Sequence, residues 1–292
     1  DIIVVTDPGQ CEVLVAFGYA VATDNCNVTV AQTAGLTTGS LFPLGVNTVE
    51  FTATDSGGNL TVCSFTITVQ DDENPVAACQ DITVDLDSFG NAVITAADID
   101  DGSSDNCTFT LSLDNTSFTC ADIGENSVTL TVTDGNGNTS TCTSTVTVRD
   151  MEVPVVSYQN ITVQLDGSGI TTIVAADVDD GSSDNCTVIL AIDITSFTCA
   201  DIGENFVTLT VADESGNEAL SIVTVTVEDT IAPIPDITIL ADVTAECEVA
   251  TLTSPTATDN CSGLVTVSNN ATLPIITQGT TVVTWTYDDG NG

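Results

Sequence analysis

The sequence has almost no basic side chains. Among its 292 residues it contains one arginine, Arg149, and neither lysine nor histidine, against 42 acidic residues, so its formal net charge is −41. Binding nucleic acid requires clustered lysine and arginine, which excludes nucleic acid as a partner. Without histidine, Ser-His-Asp and Cys-His catalytic sites and histidine-containing zinc sites cannot form within these residues.

Long apolar runs, CxxC pairs and aromatic residues are also scarce. No apolar run reaches the roughly 18 residues that a membrane-spanning helix needs, so we expect no membrane insertion in this segment. The 11 cysteines include no CxxC pair, which favours disulfides in an oxidising compartment over a thiolate metal cluster. Aromatic residues make up only 4%, and acidic pairs recur in every repeat instead of once in one cleft. A glycosidase, and an enzyme generally, is therefore not expected.

The sequence does contain an internal repeat. Asp71–Arg149 aligns without a gap onto Asp150–Glu228, and both segments carry Asp-Asn-Cys at equivalent positions, which sets a period of 79 residues (186 − 107). Partial copies flank this pair. We therefore expect four repeats: 1–70, with its beginning missing; 71–149; 150–228; and 229–292, with its end missing.

Each repeat consists of short segments that alternate apolar and polar residues and are bounded by Asp, Asn, Gly and Pro. Val128–Val132 and Thr143–Val148 are examples, and no stretch keeps an apolar period of 3.6 residues. This pattern predicts an all-β protein of tandem immunoglobulin-like β-sandwich domains arranged end to end.

Several phrases of the first repeat resemble a known family. They are Thr6–Cys11 (TDPGQC), Ala22–Cys26 (ATDNC), Phe42–Gly45 (FPLG), Thr52–Asn59 (TATDSGGN) and Cys63–Val69 (CSFTITV). Together they are similar to the hyalin repeat (HYR) domain, and the resemblance is looser in the second and third repeats. It implies a non-catalytic extracellular module, found in tandem in large surface proteins such as the giant adhesins of the Bacteroidetes type.

Comparison of the repeats predicts the disulfide pairs, because a cysteine that loses its partner tends to be lost as well. A shift of 79 residues turns Cys79 into Tyr158 and Cys142 into Ser221, so we pair Cys79 with Cys142. The remaining expected pairs are Cys107–Cys120, Cys186–Cys199, Cys11–Cys26 and Cys247–Cys261.

Cys63 is left over from this pairing. It aligns with Cys142, whose partner precedes the first strand of its repeat, so we expect the partner of Cys63 to lie just before Asp1. A free or intermolecular cysteine is the alternative.

Acidic residues recur at the boundaries between repeats and in one hairpin of each repeat. In an immunoglobulin-like sandwich the incoming linker and the hairpin between the last two strands lie at the same end, and oxygen ligands from two such segments suit calcium. The predicted calcium ligands are Asp71, Asp72, Glu73, Asp134, Asp150, Glu152 and Asp213. The alternative is ordinary turn chemistry, since Asp and Asn side chains hydrogen-bond to their own backbone.

A second acidic cluster lies within the second and third repeats, and it could bind an ion by itself, although it lacks the ligand order of an EF-hand. Its members are Asp98, Asp100, Asp101 and Asp105, with the copies Asp177, Asp179, Asp180 and Asp184.

Sequons for N-glycosylation are frequent, and some decoration of the surface is expected where a glycosylation system exists. The candidate acceptors are Asn27, Asn59, Asn115, Asn138, Asn160 and Asn270.

These features predict a structural segment of a secreted or cell-surface filament or stalk. Its partners would be the neighbouring repeats and possible copies of itself in a fibril, with calcium as the cofactor. The alternative is a calcium-dependent adhesin module that binds a glycan or a protein.

Overall fold

The computed structural model describes residues 1–261 and 265–291. They form two compact units, Asp1–Asp150 and Met151–Gly292, and strands dominate both. In the described ranges no helix has the length and apolarity needed to cross a membrane. The chain is all-β, with tandem immunoglobulin-like sandwiches, as the alternating segments predict.

The first unit contains twelve strands, one short helix and one 3-10 turn. They are β1 (Ile2–Val5), β2 (Glu12–Val15), β3 (Val28–Ala34), β4 (Ser40–Pro43), β5 (Gly45–Asp55), β6 (Leu60–Gln70), β7 (Ile82–Asp85), β8 (Asn91–Val93), α1 (Ala96–Ile99), β9 (Phe109–Leu113), β10 (Ser117–Thr119), the 3-10 turn Cys120–Asp122, β11 (Gly124–Asp134) and β12 (Thr139–Arg149).

These strands build the same arrangement twice. A four-stranded sheet in the order β1-β6-β5-β3 accompanies the pair β2-β4, and a sheet in the order β7-β12-β11-β9 accompanies the pair β8-β10. In each large sheet the strand that comes first in the sequence (β1 or β7) pairs in parallel with the strand that comes last in the sequence (β6 or β12). The other neighbouring strands are antiparallel. The strands of the first arrangement lie within residues 1–70, and those of the second lie within residues 71–149.

The second unit begins with a close copy of the same arrangement. Its elements are β13 (Ile161–Gln164), β14 (Ile170–Thr172), α2 (Ala175–Val178), β15 (Val188–Ile192), β16 (Ser196–Thr198), the 3-10 turn Cys199–Asp201, β17 (Gly203–Asp213), β18 (Glu218–Glu228), β19 (Ile234–Pro235), β20 (Ala257–Thr258), β21 (Thr266–Asn269) and β22 (Trp285–Asp288). The sheets have the orders β13-β18-β17-β15, β14-β16, β19-β20 and β21-β22.

The core of each sandwich comes from the inward-facing half of each strand. Successive side chains of a strand point to opposite faces, and along β17 the residues Val207, Leu209 and Val211 are fully buried while the residues between them are at least partly exposed. Phe197, from the small sheet, packs into the same cluster. In the first repeat Phe42 and Phe51 have corresponding roles.

The hairpins between the last two long strands are closed by an aspartate and a glycine. Asp134 Oδ1 accepts hydrogen bonds from the backbone N–H groups of Asn136 and Asn138, at 2.9 and 2.8 Å. Gly137 has φ +93°, a left-handed conformation that glycine adopts without steric cost. This turn fixes the position of Asp134 at the end of its sandwich.

Candidate functional site

The candidate site lies where the first two repeats meet, within the first unit. Asp71 follows β6, and it is 5% exposed. Its backbone carbonyl accepts hydrogen bonds from the side-chain amides of Asn136 and Asn138, at 3.2 and 3.0 Å. The linker and the hairpin of the second repeat therefore lie at the same end of the sandwich, which is the arrangement that the immunoglobulin-like fold predicts.

Asp105 and Asn106 complete this cluster from the loop before β9. Ligand atoms of Asp71, Asp105 and Cys107 lie within 4.8 Å of one another. Asn106 Nδ2 donates to Asp71 Oδ1 at 3.3 Å and to the carbonyl of Gln10 at 3.1 Å. Two aspartates and an amide, supplied by two different segments of the chain, thus converge at this junction.

Three oxygen atoms in the cluster are buried and accept no hydrogen bond from any described residue. They are Asp71 Oδ2, Asp105 Oδ1 and Asn106 Oδ1. A buried carboxylate oxygen without a donor or a cation is costly, because its hydration has been lost and nothing replaces it. The arrangement therefore has the charge and the free lone pairs that a cation would satisfy.

The donor set is one of hard oxygen atoms. Cys107 is also near these atoms, but its sulfur is bonded to Cys11, so it cannot act as a thiolate ligand. Carboxylate and amide oxygens are ligands that Ca²⁺ prefers, whereas zinc and iron–sulfur sites use thiolate or imidazole. The residues present therefore fit calcium.

The second unit repeats this cluster at its own junction. Ligand atoms of Asp229, Asp259 and Asp289 lie within 4.8 Å of one another, and Asn260 Nδ2 donates to Asp229 Oδ1 at 3.2 Å. The oxygens Asp229 Oδ2, Asn260 Oδ1 and Asp289 Oδ2 are buried and accept no hydrogen bond from the described residues. The predicted ligand set omits these residues, although they are the repeat equivalents of Asp71, Asp105, Asn106 and Asp134.

The other predicted ligands at the boundaries have different environments. Asp72 and Glu152 are exposed, and Glu73 Oε2 accepts from the N–H of Gly9 at 2.8 Å. Asp150 and Asp213 are buried. Asp213 accepts from the backbone and side chain of Asn217, at 2.8 and 2.6 Å, as Asp134 does from Asn138.

Burial by itself raises the pKa of Asp134. Hydrogen bonds from the side chain and backbone of Asn138 outweigh that effect, so its pKa lies below the ordinary value. Asp134 is therefore a satisfied turn carboxylate beside the cluster.

The four aspartates of the second predicted cluster have different environments in the structure. Asp98 accepts from the hydroxyl and backbone of Thr95, both at 2.7 Å, and caps α1; Thr95 lowers its pKa. Asp100 accepts from the backbone of Ser103 at 3.0 Å, and Asp101 is exposed. Only Asp105 of this group points into the junction. Asp98 and Asp100 are thus engaged in local caps, and a separate ion site formed by this group stays a prediction.

The copies in the third repeat behave in the same way. Asp177 caps α2 through the N–H of Val174, at 2.7 Å, and Asp179 accepts from Ser182 at 3.1 Å. Asp180 is exposed. Asp184 is half-buried and accepts from the N–H of Cys186 at 3.0 Å, as Asp105 does from that of Cys107.

One of the disulfides lies within a repeat, and two others join consecutive repeats. The structure forms the predicted Cys79–Cys142 bridge, with Cα atoms 6.0 Å apart, but it also forms Cys11–Cys107 and Cys199–Cys261, with Cα distances of 5.3 and 5.1 Å. Each of these two bridges joins a cysteine of one repeat, Cys11 or Cys199, to the cysteine of the next repeat's Asp-Asn-Cys sequence, Cys107 or Cys261.

The other four predicted pairs are therefore wrong. Cys107 is bonded to Cys11 and not to Cys120, and Cys199 is bonded to Cys261 and not to Cys186; Cys120 and Cys186 are both disulfide-bonded as well. Cys26 and Cys247, expected to pair with Cys11 and Cys261, are exposed free thiols, as is Cys63. The pairing assumed that each repeat is covalently self-contained, whereas the loops place cysteines of adjacent repeats within bonding distance.

The glycosylation candidates differ in availability. Asn138 is half-buried, and its side-chain amide donates to Asp71 and Asp134, so a glycan there would break both bonds. The amide of Asn59 donates to Asp55 at 2.7 Å. The remaining candidates are exposed: Asn27, Asn115, Asn160 and Asn270.

The comparisons with known proteins agree with this picture. The HYR domain family matches residues 2–69. The hyalin of Lytechinus variegatus is 29% identical over 270 residues, which cover 84% of this chain and 50% of that protein. The hyalin of Strongylocentrotus purpuratus is 27% identical over 309 residues, which cover 97% of this chain and 25% of that protein. The chain thus spans half the length of one relative and a quarter of the other.

Among solved structures, immunoglobulin domains 1–4 of Sidekick-1 are 10% identical, cover 77% of this chain and 73% of theirs, and give a TM-score of 0.31. A TM-score this low does not support a fold assignment, so the assignment of an immunoglobulin-like fold rests on the sheets described above. No comparison supports the Bacteroidetes type of adhesin in particular.

Disulfide bonding in the described structure requires an oxidising compartment, and the protein is extracellular, secreted or at a cell surface. Its first repeat matches the family along nearly its full length, and both hyalins extend the likeness over most of the chain. The chain therefore contains an HYR domain at residues 2–69, and the sequence beyond it is similar to the two hyalins.

Proposed function

We propose that the chain is a structural segment of an extracellular filament or stalk, in which calcium and disulfides together hold consecutive repeats. The observation that carries this proposal is the pair of junction clusters, each with three buried oxygens that accept no hydrogen bond from the described residues. The four repeats 1–70, 71–149, 150–228 and 229–292 are its domains, and it has no catalytic role.

A calcium ion would add a link between segments that the Cys11–Cys107 bridge and a hydrogen bond already join. In the first unit Asp71 comes from the linker, Asp105 and Asn106 from the second repeat, and Asn106 is held by the Gln10 carbonyl of the first repeat. A cation bound to these oxygens would replace the repulsion between two carboxylates with attraction to a common centre. The angle between the first and second repeats would then become fixed.

The Cys11–Cys107 bridge would act on the same joint. Its sulfur atoms lie beside the ion ligands, so a force that separates the two repeats would act on the bridge and on the cluster together. Covalent closure also limits how far the ligands can move apart when calcium is absent. We expect the bridge to raise calcium affinity through this preorganisation.

The net charge of −41 supports a role in an extended array. Like-charged segments repel one another and remain soluble, and bound calcium would neutralise the charge only at the junctions. Adjacent repeats are the immediate partners, and lateral association into fibrils and glycan decoration of exposed asparagines belong to the same proposal.

The alternative, a calcium-dependent adhesin that binds a glycan or protein, has less support. The cluster recurs at junctions of both units, so no single repeat is distinguished as the receptor by its acidic residues. The stalk is therefore the function that the geometry supports best.

Calorimetric titration of the intact chain with Ca²⁺ tests the proposal. The variant D71N/D105N keeps the size of both side chains and removes two charges from the first cluster, so we expect it to lose one binding equivalent. D98N is the matched control, because Asp98 belongs to the same acidic stretch as Asp105 but caps a helix. Equal stoichiometry in D71N/D105N and the parent chain would refute a calcium site at this junction.

A further inference from the structure

The outer face of the large sheet in the third repeat differs from its counterpart in the second. The four outward-facing residues Ile189, Phe206, Leu220 and Ile222 are 54%, 66%, 64% and 66% exposed. A shift of 79 residues places Thr110, Ser127, Thr141 and Thr143 at the same positions in the second repeat. Two closely similar sandwiches thus present faces of opposite character, one apolar and one made of hydroxyls.

Phe206, Ile222 and Leu220 are neighbours on one surface, and Ile189 lies on the same outer face, across β17 from them. In the β17–β18 ladder Phe206 is opposite Thr224, Thr208 is opposite Ile222, and Thr210 is opposite Leu220. Phe206 and Ile222 are therefore diagonal neighbours, and Leu220 follows Ile222 on the same face of β18. On the other side of β17, Ile189 is opposite Ala212. We call the four exposed residues Ile189, Phe206, Leu220 and Ile222 the repeat-3 face.

Fold stability does not account for these residues. The interior of the sandwich is filled by Val207, Leu209, Val211, Val223 and Val225 on the opposite face of the same strands. The second repeat forms the same sheet with threonine and serine outside. Large contiguous apolar patches on soluble proteins mark interaction sites, whereas scattered single residues do not.

The edge of the repeat-3 face carries only negative charge. Glu204 precedes Phe206 on the same face of β17, Glu218 precedes Leu220 on the same face of β18, and both are exposed. The third repeat contains no basic residue. A partner that buries the apolar centre must therefore bring positive charge to both ends, or bury the glutamates against its own surface without compensation.

A second copy of this chain does not meet that requirement. Its one basic residue, Arg149, lies 2.9 Å from Asp85 in an ion pair, and its net charge of −41 adds long-range repulsion. We propose that the repeat-3 face is a docking site for a different protein, whose contact surface has an apolar centre flanked by lysine or arginine. This assigns to the third repeat a binding role that the second repeat lacks.

The test measures binding of two synthetic peptides to the intact chain by fluorescence anisotropy. One peptide alternates Leu and Phe with Thr and carries lysines at both ends; the other has the same lysines with Ser in place of Leu and Phe, and reports charge attraction alone. The variant F206S/L220T/I222T carries the residues found at Ser127, Thr141 and Thr143, so a sandwich of this kind tolerates them. We expect this variant to bind the apolar peptide about tenfold or more weakly than the parent chain does. We expect the variant and the parent chain to bind the serine peptide with equal affinity.

The converse variant S127F/T141L/T143I transfers the apolar triplet to the second repeat, and it should add a second site for the apolar peptide. E204Q/E218Q should weaken binding and reduce its dependence on salt. Equal affinity of the parent chain and F206S/L220T/I222T for the apolar peptide would overturn the proposal. Sedimentation that shows dimers of the parent chain and monomers of F206S/L220T/I222T would also overturn it, because a second copy would then be the occupant.

Discussion

The second and third repeats are close copies, and three of the differences between them have a physical consequence. Both contain the same order of strands, the same short helix and the same 3-10 turn. The third repeat lacks the Cys79–Cys142 bridge, replaces a buried serine with valine, and has an apolar outer face. The elements common to both repeats define the fold, and the differences show what can vary around it.

The first two differences are related, because both concern how the sandwich is stabilised. Cys79 and Cys142 correspond to Tyr158 and Ser221 in the third repeat. Ser144 is buried and donates to the carbonyl of Gln80 at 2.6 Å, whereas its counterpart Val223 is fully buried among apolar side chains. One repeat thus has a covalent link and a polar contact where the other has additional apolar burial.

Removal of the covalent link should have the largest effect. We expect C79S/C142S to destabilise the second repeat by about 2–4 kcal/mol, because the unfolded segment gains the freedom of an open loop of 62 intervening residues. Hydrogen exchange followed by mass spectrometry on β11 and β12 measures the local opening free energy. The same strands of the third repeat are the internal control and should not change. Faster exchange in both repeats alike would contradict a bridge that acts on its own repeat.

Replacement of Val223, the buried valine that stands where the second repeat has Ser144, should have the next largest effect on stability. V223S removes buried apolar volume from the third repeat and should cost about 1–3 kcal/mol, measured by exchange in β17 and β18. The converse change S144V is the matched variant. It loses one hydrogen bond but gains apolar burial, so its cost should be smaller. A larger loss of stability in S144V than in V223S would show that apolar burial by valine does not stabilise the third repeat in the way proposed.

The second and third repeats should lose the same contribution to stability in acid at one pair of equivalent carboxyls, Asp114 and Asp193. Asp114 and Asp193 accept hydrogen bonds from the backbone of Thr129 and Thr208, at 2.9 and 2.8 Å, and these bonds lower the pKa of both carboxyls from the ordinary 3.8. Since the folded pKa is the lower one, the stabilisation is complete above the unfolded value and is lost as pH falls through the folded pKa. A carboxyl NMR titration should place both pKa values below 3.8. A value at or above 3.8 for either carboxyl would contradict this.

The apolar outer face should have the smallest effect on stability. Each change in F206S/L220T/I222T lies on an exposed surface, so each should alter the free energy of unfolding by no more than about 0.5 kcal/mol. Thermal unfolding of the intact chain measures the sum. A large loss of stability would show that the face supports the sandwich and does not serve an interaction.

Sequence patterns predict the repeating parts of this molecule better than its junctions. Alternation within Val128–Val132 identifies a half-buried strand, and the joint loss of Cys79 and Cys142 identifies their bridge, because both signals lie within one repeat. Cys11 and Cys107 belong to different repeats, and comparison of repeats cannot show which loop approaches which.

The candidate site shows the same limit. Sequence spacing places Asp98, Asp100, Asp101 and Asp105 in one group, but the first two are used by local caps and Asp101 is exposed, while Asp105 turns toward the linker. The hairpin and the linker were expected at one end, and Asn136 and Asn138 do contact Asp71. The side-chain amide of Asn106 was missed, because in sequence it looks like part of a turn.

The most direct test of the calcium-bound junction is a crystal structure of the intact chain, grown in calcium and again after chelation. We predict an ion coordinated by Asp71 Oδ2, Asp105 Oδ1 and Asn106 Oδ1 in the calcium crystal, and an angle between the first two repeats that changes when the ion is removed. Density for water alone at these three oxygens in the presence of calcium, with the same angle in both crystals, would contradict the account.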